Sequence, residues 1–254
     1  VFILILSNWL KDFAGAWIFY SVLPKLPVIK PSFKRIARFG PWIGLIIGSL
    51  QAFIWFFLTS LHWPTTSISL GVIAFSILAT GGLHFDGLMD TADGLAAGNS
   101  RCLEAMDDSR VGASGVQALL LMALLQISAL IKLNNMSLFA LPIASFWGRC
   151  APLLAISRFK YLRNRGTASF HKGYIKGWKD FVPAVIGFAV LCTGFILINS
   201  KLTASIIFAL TIGILPTIII PESLGRRLGG HTGDSYGATV VLVETSSLII
   251  SALL

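Results

Sequence analysis

The feature that most constrains this chain is a series of apolar runs, each about 20 residues long, separated by short polar segments. A transmembrane helix needs about 20 consecutive, predominantly apolar residues. Hydrophobic residues make up 55% of the 254 residues and charged residues only 12%, a composition outside the range of a soluble globular domain. The runs lie at roughly 41–61, 66–83, 111–131, 138–156, 181–199, 203–221 and 237–254. The sequence therefore predicts an all-α, polytopic integral membrane protein.

The opening run, 1–23, is ambiguous because Lys11 and Asp12 interrupt it. It could be an eighth span in which the two charges neutralise each other, or a helix lying along the membrane interface. No charged segment precedes it and no small-residue cleavage site follows, so we do not expect a removable signal peptide. We expect one domain over 1–254 with seven or eight transmembrane helices.

Positive charge is concentrated in alternate loops. The loops 24–40 and 157–180 are strongly basic, whereas the connections 62–65, 132–137 and 200–202 are short and nearly uncharged. The positive-inside rule therefore places the basic loops in the cytoplasm. The net charge is +9, but no folded soluble domain presents these residues to nucleic acid. We expect them to meet anionic lipid and substrate phosphates instead.

Six of the eleven carboxylates lie in the stretch 80–115. If 82–97 is helical, Asp86, Asp90 and Asp93 stand at positions i, i+4 and i+7 and share one face. Neighbouring like charges destabilise a helix, and no Lys or Arg occurs between 80 and 100. A divalent cation is the natural countercharge, and carboxylate ligands favour Mg²⁺ or Mn²⁺ over zinc. These three aspartates are the predicted metal ligands.

The second half of this stretch carries Glu104, Asp107 and Asp108 between Arg101 and Arg110. A solvated loop joining two membrane helices would also account for single exposed acids. The density of acids together with seven glycines favours a functional segment, because glycine permits close approach of the backbone to a ligand.

The segments GGLHFDGLMDTADGL and LEAMDDSRVGASGV resemble the signature of the cobalamin synthase family, adenosylcobinamide-GDP ribazoletransferases of the late cobalamin pathway. The resemblance implies an integral membrane enzyme that uses Mg²⁺. Such an enzyme joins adenosylcobinamide-GDP to α-ribazole or its 5'-phosphate and releases GMP. By position, the matching residues are Asp86, Asp90, Asp93, Asp108 and Arg110. Asp107 stands where the family pattern has a basic residue.

Two further segments resemble the same family. The tripeptide YLR at 161–163, followed by Arg165, resembles a YxR-G segment, and its arginines suit a pyrophosphate. The segment GGHTGD at 229–234 resembles a GGxTGDxxGA motif, in which Asp234 would complete a metal shell or hold a substrate hydroxyl. The residues implied in substrate binding are Arg110, Arg163, Arg165, Gly229, Gly230, Gly233 and Asp234.

Breaking a pyrophosphate requires charge neutralisation on its oxygens and an in-line hydroxyl. One group must also accept the proton of the attacking ribose hydroxyl. The sequence leaves this choice open among Asp93, Asp108 and a histidine, either His84 or His231.

The resemblance to this family also implies the partners and the cellular location of the enzyme. Its partners would be the two small-molecule substrates, the lipid membrane and other enzymes of the late cobalamin pathway. Its location would be the cytoplasmic (inner) membrane of a bacterium or archaeon, with the active face in the cytoplasm.

Two alternative functions remain open at this stage. An ion-coupled transporter would also carry intramembrane charges such as Arg149 and Glu244. A CDP-alcohol phosphotransferase would also space aspartates along membrane helices, but its DGxxAR opening is replaced here by DGLMDT. An unpaired Arg149 would cost about 2.5 to 3.5 kcal/mol inside the membrane. We therefore expect it to pair with Glu244, with Asp12 or a substrate phosphate as the alternatives.

Overall fold

The computed structural model of the chain describes residues 2–26, 29–163, 173–198 and 210–253. Over these residues the fold is helical, and the only β structure is one isolated bridge. The helices are α1 (Phe2–Tyr20), α2 (Gly40–Ser60), α3 (Thr65–Ala79), α4 (Leu83–Ala96), α5 (Cys102–Asp107), α6 (Ala113–Leu133), α7 (Ser137–Arg158), α8 (Val182–Ile198), α9 (Ile214–Leu228) and α10 (Gly233–Ala252). Short 3-10 turns occupy Ile36–Phe39, Asn134–Met136 and Gly177–Asp180.

The predicted all-α membrane fold is confirmed. Within the described ranges, three helical stretches are long and apolar enough to cross a membrane: Ile36–Ser60, the 46-residue stretch Ala113–Arg158 and Gly233–Ala252. The second of these contains both α6 and α7. Together α3 and α4 make a fourth candidate, bent by 87°. The count of seven or eight spans stays a prediction, and the run 203–221 lies partly outside the described residues.

The opening run forms α1, and its two charged residues have different surroundings. Asp12 accepts a hydrogen bond from Arg38 at 2.6 Å, and both side chains are buried. Lys11 is exposed instead. Mutual neutralisation of Lys11 and Asp12, one of the alternatives that the sequence left open, is therefore not seen among the described residues, because Lys11 lies on the exposed side of the helix. The buried pair ties α1 to the segment that leads into α2.

Glycines set the close packing of α2 on α7. Gly40, Gly44 and Gly48 recur every four residues along α2, and all three lie against α7. A Cβ atom at Gly44 would be 2.2 Å from the carbonyl oxygen of Ser145. Small residues at this spacing allow two membrane helices to approach closely enough for extensive van der Waals contact. The pair α2–α7 therefore forms a central frame of the fold.

The other side of α7 packs on α10, again at a glycine. A Cβ atom at Gly148 would be 2.6 Å from Cγ of Glu244. The neighbouring Arg149 forms an ion pair with Glu244, and the two side chains are only 3% and 10% exposed. The predicted pairing of Arg149 with Glu244 is confirmed, and Asp12 is excluded as the partner because it pairs with Arg38.

The bend before α4 places its acidic face at the N-terminal end of α10. Gly81 and Gly82 adopt left-handed conformations, with φ of +61° and +76°, where only glycine is free of strain. Further along α4, a Cβ atom at Gly87 would lie 2.5 Å from the carbonyl oxygen of Asp234. Gly237 of α10 similarly faces the backbone of Leu83. The two helices therefore cross with almost no side chain between them.

Candidate functional site

The three aspartates of α4 share one face, as predicted, but they have different surroundings. Asp86 is exposed and Asp90 is half-buried. Among the described residues, neither carboxylate has a hydrogen bond or an ion pair. The Asp90 carboxylate feels the charges of Asp86, Asp93 and Asp234, together with the opposing charge of Arg163. This face therefore concentrates negative charge that the protein only partly neutralises.

Asp93, in contrast, is fully engaged by backbone N–H groups. Its Oδ2 atom accepts from Gly112 and its Oδ1 atom from Gly115, each at 2.8 Å. A Cβ atom at Gly112 would be only 2.3 Å from Oδ1, so this contact requires glycine. Asp93 thus caps the N-terminus of α6, where a negative charge also favours the helix dipole. This role of Asp93 was not predicted from the sequence, although Gly112 and Gly115 were a signal for it.

Arg163 links two acidic segments. Its Nη1 atom lies 2.8 Å from Oδ2 of Asp234, and its Nη2 atom lies 2.8 Å from Oδ1 of Asp107. The guanidinium therefore joins the end of α5 to the start of α10. Its Nε atom is buried and has no hydrogen-bond partner in the described part of the chain. The structure brings Arg163 and Asp234 together and adds Asp107, the residue that departs from the family pattern.

The GGHTGD loop is shaped by its backbone. Gly229 ends α9 in a left-handed conformation at φ +76°, and a Cβ atom at Gly230 would be 2.6 Å from the carbonyl oxygen of Lys160. The His231 N–H donates to Lys160 at 3.0 Å, and the His231 carbonyl accepts from Leu162 at 2.8 Å. These bonds join the YLR segment to the loop and so fix the start of the Arg163 side chain. The substrate-binding roles of Gly229 and Gly230 stay predictions.

His231 is the central packing group of this loop. Its Nε2 atom donates to the carbonyl of Pro221 at 3.0 Å, which leaves Nδ1 to accept from the Ser235 hydroxyl at 2.9 Å. The ring is fully buried and stacks on Tyr236. Burial lowers the pKa of His231 to about 4, although the bond to Pro221 opposes the shift. As placed, neither ring nitrogen is free to accept a substrate proton.

Asp108 and Arg110 form a local pair at the surface. Asp108 accepts hydrogen bonds from the backbone and the guanidinium of Arg110, the shortest at 2.6 Å. These bonds lower the pKa of Asp108 to about 2, so it is a weak base in this arrangement. The Arg110 side chain is 88% exposed. A role for Arg110 in substrate binding stays a prediction, and Arg165 lies outside the described residues.

A pocket of about 160 Å³ opens beside the acidic face. It lies between the end of α1, the start of α4, the end of α7 and the start of α10. Its polar lining includes His84, Asp86, Gly233 and Asp234. His84 is buried, and its Nε2 atom has no hydrogen-bond partner among the described residues. The pocket therefore joins an imidazole to two of the predicted acidic site residues.

The acidic face suits a magnesium ion that has few protein ligands. Over the described ranges, no three His, Cys, Asp or Glu side chains lie close enough together to form a complete ligand set. Mg²⁺ usually takes one or two carboxylates and completes its octahedron with water and substrate phosphates. Asp86 and Asp90 fit that requirement, because both lack a hydrogen-bond or ion-pair partner among the described residues. Whether Asp93 is also a ligand stays a prediction.

Comparison with known proteins identifies the family. Residues 12–252 match the family model described as cobalamin-5-phosphate synthase. Two proteins named adenosylcobinamide-GDP ribazoletransferase, from Prochlorococcus marinus strains MIT 9313 and MIT 9303, are 56% and 57% identical over 97% of this chain and 96% of their own length. A protein of the same name from Trichormus variabilis is 37% identical over 96% of this chain and 98% of its own. No solved structure matches. The chain belongs to the cobalamin-5-phosphate synthase family.

Proposed function

We propose that the chain is an adenosylcobinamide-GDP ribazoletransferase. It moves the adenosylcobinamide phosphate group from adenosylcobinamide-GDP to α-ribazole, or to its 5'-phosphate, and releases GMP. The names of the relatives support this activity. The structural observation that carries it is the pair of unpartnered carboxylates, Asp86 and Asp90, beside the Arg163–Asp234 ion pair at the rim of a pocket.

The reaction exchanges a phosphoanhydride bond for a phosphate ester bond. A ribose hydroxyl oxygen of the nucleoside forms a bond to the phosphorus that carries cobinamide. The bond from that phosphorus to the bridging oxygen breaks, and the electron pair leaves with GMP. The hydroxyl proton passes to a base. The protein must therefore align the hydroxyl with the bridging oxygen and offset the growing negative charge.

Asp86 and Asp90 would hold Mg²⁺, which when bound supplies Lewis-acid polarisation of the phosphate oxygens. Arg163 is held by Asp107 and Asp234 on one side, and its Nε atom is without a partner in the described structure. A guanidinium that keeps an unused N–H can donate it to a phosphate oxygen, and the planar fork suits such an oxygen. Arg163 therefore binds the pyrophosphate.

We assign proton acceptance to His84. Asp93 has both carboxylate oxygens bonded to backbone N–H groups, and Asp108 is held by Arg110. His84 instead has a buried Nε2 atom that no described residue uses. It also lines the pocket together with Asp86, two residues further along α4. A neutral imidazole at this position can take the proton of a hydroxyl that approaches the acidic face.

The proposal is tested by measuring GMP release from adenosylcobinamide-GDP and α-ribazole with the purified full chain. Asp90→Asn keeps the shape of the side chain and removes its charge, and we expect it to lower the rate by roughly 10²- to 10³-fold, the usual cost of losing a charge-stabilising group. Glu104→Gln makes the same chemical change at an exposed residue of α5 and should act like the wild type. Wild-type activity of Asp90→Asn at limiting Mg²⁺ would disprove the metal assignment. Absence of GMP release from the wild type with either acceptor would disprove the activity itself.

We also propose that the protein lies in the cytoplasmic membrane of a bacterium with its acidic face in the cytoplasm. The distribution of basic loops supports this orientation. Helix α6 has 21 residues and at 1.5 Å per residue spans about 31 Å, enough to cross the hydrocarbon core. Association with other late cobalamin-pathway enzymes stays a prediction.

The orientation is tested with single cysteines in the segments that precede and follow α6, in a background without the three native cysteines. Ser100 and Asn135 are both exposed. Ser100→Cys should react with a membrane-impermeant thiol reagent only from the cytoplasmic side, and Asn135→Cys only from the opposite side. Labelling of Ser100→Cys from outside the cell would overturn the proposed orientation.

A further inference from the structure

The pocket beside the acidic face has an aromatic interior that the transfer of a phosphate does not require. Phe19, Tyr20 and Tyr236 line it, and Ile156 and Val240 add aliphatic surface. The polar residues Asp86 and Asp234 also belong to its lining. Such a cavity, mostly apolar with a few polar groups, is the usual form of a small-molecule site. It has the chemistry to bind a flat and largely apolar ring.

The Tyr236 hydroxyl is the unusual polar group of this pocket. Tyr236 is only 6% exposed, and its hydroxyl has no hydrogen-bond partner in the part of the chain that the structure describes. A buried hydroxyl without a partner is costly. The ring is nevertheless held firmly, because it stacks on His231 at 5.4 Å and 22° and His231 uses both ring nitrogens. The hydroxyl is therefore fixed in place before any ligand arrives.

We propose that this pocket binds the base of the acceptor nucleoside and that the Tyr236 hydroxyl donates a hydrogen bond to its free ring nitrogen. The proposal rests on the proposed function, which makes ribazole the acceptor. Ribazole carries a dimethylbenzimidazole base, a flat bicyclic ring whose only hydrogen-bonding atom is one unsubstituted nitrogen. The Tyr236 hydroxyl would donate to that nitrogen, and the aromatic side chains of the pocket would contact the flat ring.

The other rings of the substrates fit less well. A cavity of about 150 Å³ accepts a single benzene ring, and ordinary ligand pockets measure roughly 300 to 1,000 Å³. The pocket measures about 160 Å³, so it holds part of a bicyclic ring and excludes a corrin. Guanine has several ring atoms that accept hydrogen bonds, and ionised carboxylates such as Asp86 and Asp234 in the lining cannot donate to them. The size of the pocket and its tyrosine hydroxyl donor therefore favour the benzimidazole.

This placement also orients the reacting hydroxyl. The pocket wall runs from Tyr236 in α10 to His84 and Asp86 in α4. With the base among the aromatic rings, the attached ribose extends toward the acidic face. That position brings a ribose hydroxyl to His84, the proposed proton acceptor, and to the carboxylates proposed to hold Mg²⁺. Recognition of the base thus positions the nucleophile.

The test compares two nucleosides and two protein variants. One nucleoside is α-ribazole, and the other is its analogue in which the free ring nitrogen is replaced by CH. The wild type should bind the analogue about tenfold more weakly, as expected for the loss of one hydrogen bond. Tyr236→Phe should bind α-ribazole about tenfold more weakly and should no longer distinguish the two nucleosides. Tyr174→Phe, the same change at an exposed tyrosine, should retain the full preference.

Binding is measured directly, by calorimetry with each nucleoside alone and the full chain in lipid nanodiscs, and GMP release is measured in parallel. If Tyr236→Phe keeps the wild-type preference for α-ribazole, or if it raises the KM for adenosylcobinamide-GDP instead, the pocket assignment is wrong although the enzyme activity stands. If the wild type binds α-ribazole with the expected preference but releases no GMP, the proposed function fails and the pocket assignment survives. A fold defect in Tyr236→Phe would appear as a lowered thermal unfolding midpoint. In that case the deciding test is the affinity of the wild type for α-ribazole compared with its affinity for the analogue. Equal affinity for the two nucleosides would overturn the assignment.

Discussion

Helix α10 carries two acidic residues that each meet an arginine, and the two regions around them differ in what they leave unsatisfied. Near the middle of the helix, Glu244 pairs with Arg149 where α7 and α10 touch, and both side chains are almost fully buried. At the N-terminal end, Asp234 pairs with Arg163, whose other end meets Asp107. This second region also faces the unpartnered carboxylates of α4.

The difference separates a pair whose charges balance each other from a group whose negative charge the protein only partly neutralises. A buried ion pair balances its own charges, and removing one partner leaves an uncompensated charge in a region without water. The region around Asp234 has an excess of negative charge, with one arginine close to several carboxylates. Functional sites often accept such a stability cost because the ligand supplies the missing charge.

The largest effect is expected from breaking the interior pair. Arg149→Leu leaves Glu244 buried without its partner and should lower the free energy of unfolding by about 3 to 5 kcal/mol. Adding Glu244→Leu should restore part of that loss, because the double variant leaves no orphan charge. Arg226→Leu, at an exposed arginine paired with Glu222, serves as the control and should cost less than about 1 kcal/mol.

These free energies are compared through thermal unfolding midpoints of the purified proteins in one detergent. A different result would give Arg149 a role in substrate binding instead of a role in stability. If Arg149→Leu unfolds like the wild type but loses affinity for adenosylcobinamide-GDP, and the second change gives no rescue, Arg149 belongs to the substrate site.

Much of the interior region could be predicted from the sequence. Apolar runs of the right length gave α2, α6 and α7 within two or three residues, because length and hydropathy are local properties of the chain. The pairing of Arg149 with Glu244 followed from the cost of an isolated charge in a membrane. The pairing of Asp12 with Arg38 was not predicted, because Arg38 lies 26 residues away and no local pattern identifies it.

The second prediction concerns the loop that positions Arg163. His231 is neutral in the folded protein, with a pKa lowered to about 4 by burial. Because the unfolded chain would bind a proton near pH 6.5, stability should fall as the pH drops from about 6.5 toward 4 and be fully present above that window. The loss should be on the order of 3 kcal/mol, which follows from a pKa of about 6.5 in the unfolded chain and about 4 in the folded protein.

His231→Gln offers the matched comparison, since glutamine can donate and accept but does not titrate. The unfolding midpoint of this variant should depend less on pH between 4 and 6.5 than that of the wild type. If the unfolding midpoints of the two proteins depend equally on pH, His231 is not the group whose protonation changes the stability.

The third prediction separates Asp93 from its neighbours on α4. Asp93→Ala removes the cap of α6 and should cost about 1 kcal/mol of stability, the usual value for such a cap. Asp93→Asn keeps one oxygen acceptor and should cost less. Both variants should still respond to Mg²⁺ in the GMP-release assay. If either variant instead requires much more Mg²⁺ than the wild type while unfolding normally, Asp93 is a metal ligand after all.

The acidic site was predicted only in part. Helical periodicity correctly placed Asp86, Asp90 and Asp93 on one face, but periodicity does not show what that face contacts. The contacts of Asp93 differ from those of Asp86 and Asp90 because Asp93 meets the start of α6, which begins 20 residues later in the chain. The contact of Arg163 with Asp107 likewise joins segments more than 50 residues apart. Tertiary contacts of this kind are decided by packing and leave no regular spacing in the sequence.

The central claim is that Asp86 and Asp90 are kept unpaired for a metal ion, whereas Arg149 and Glu244 are paired for the fold. It is tested most directly by the thermal unfolding midpoint of wild type and Asp90→Asn, each with and without millimolar Mn²⁺ as the metal probe. A ligand that binds only the folded state raises the midpoint, so the wild type should gain stability from the metal. Asp90→Asn should be at least as stable as the metal-free wild type, because one repelling charge is removed, and should gain little from Mn²⁺. If Asp90→Asn is destabilised without metal and gains as much from Mn²⁺ as the wild type, Asp90 is a structural residue and the account is contradicted.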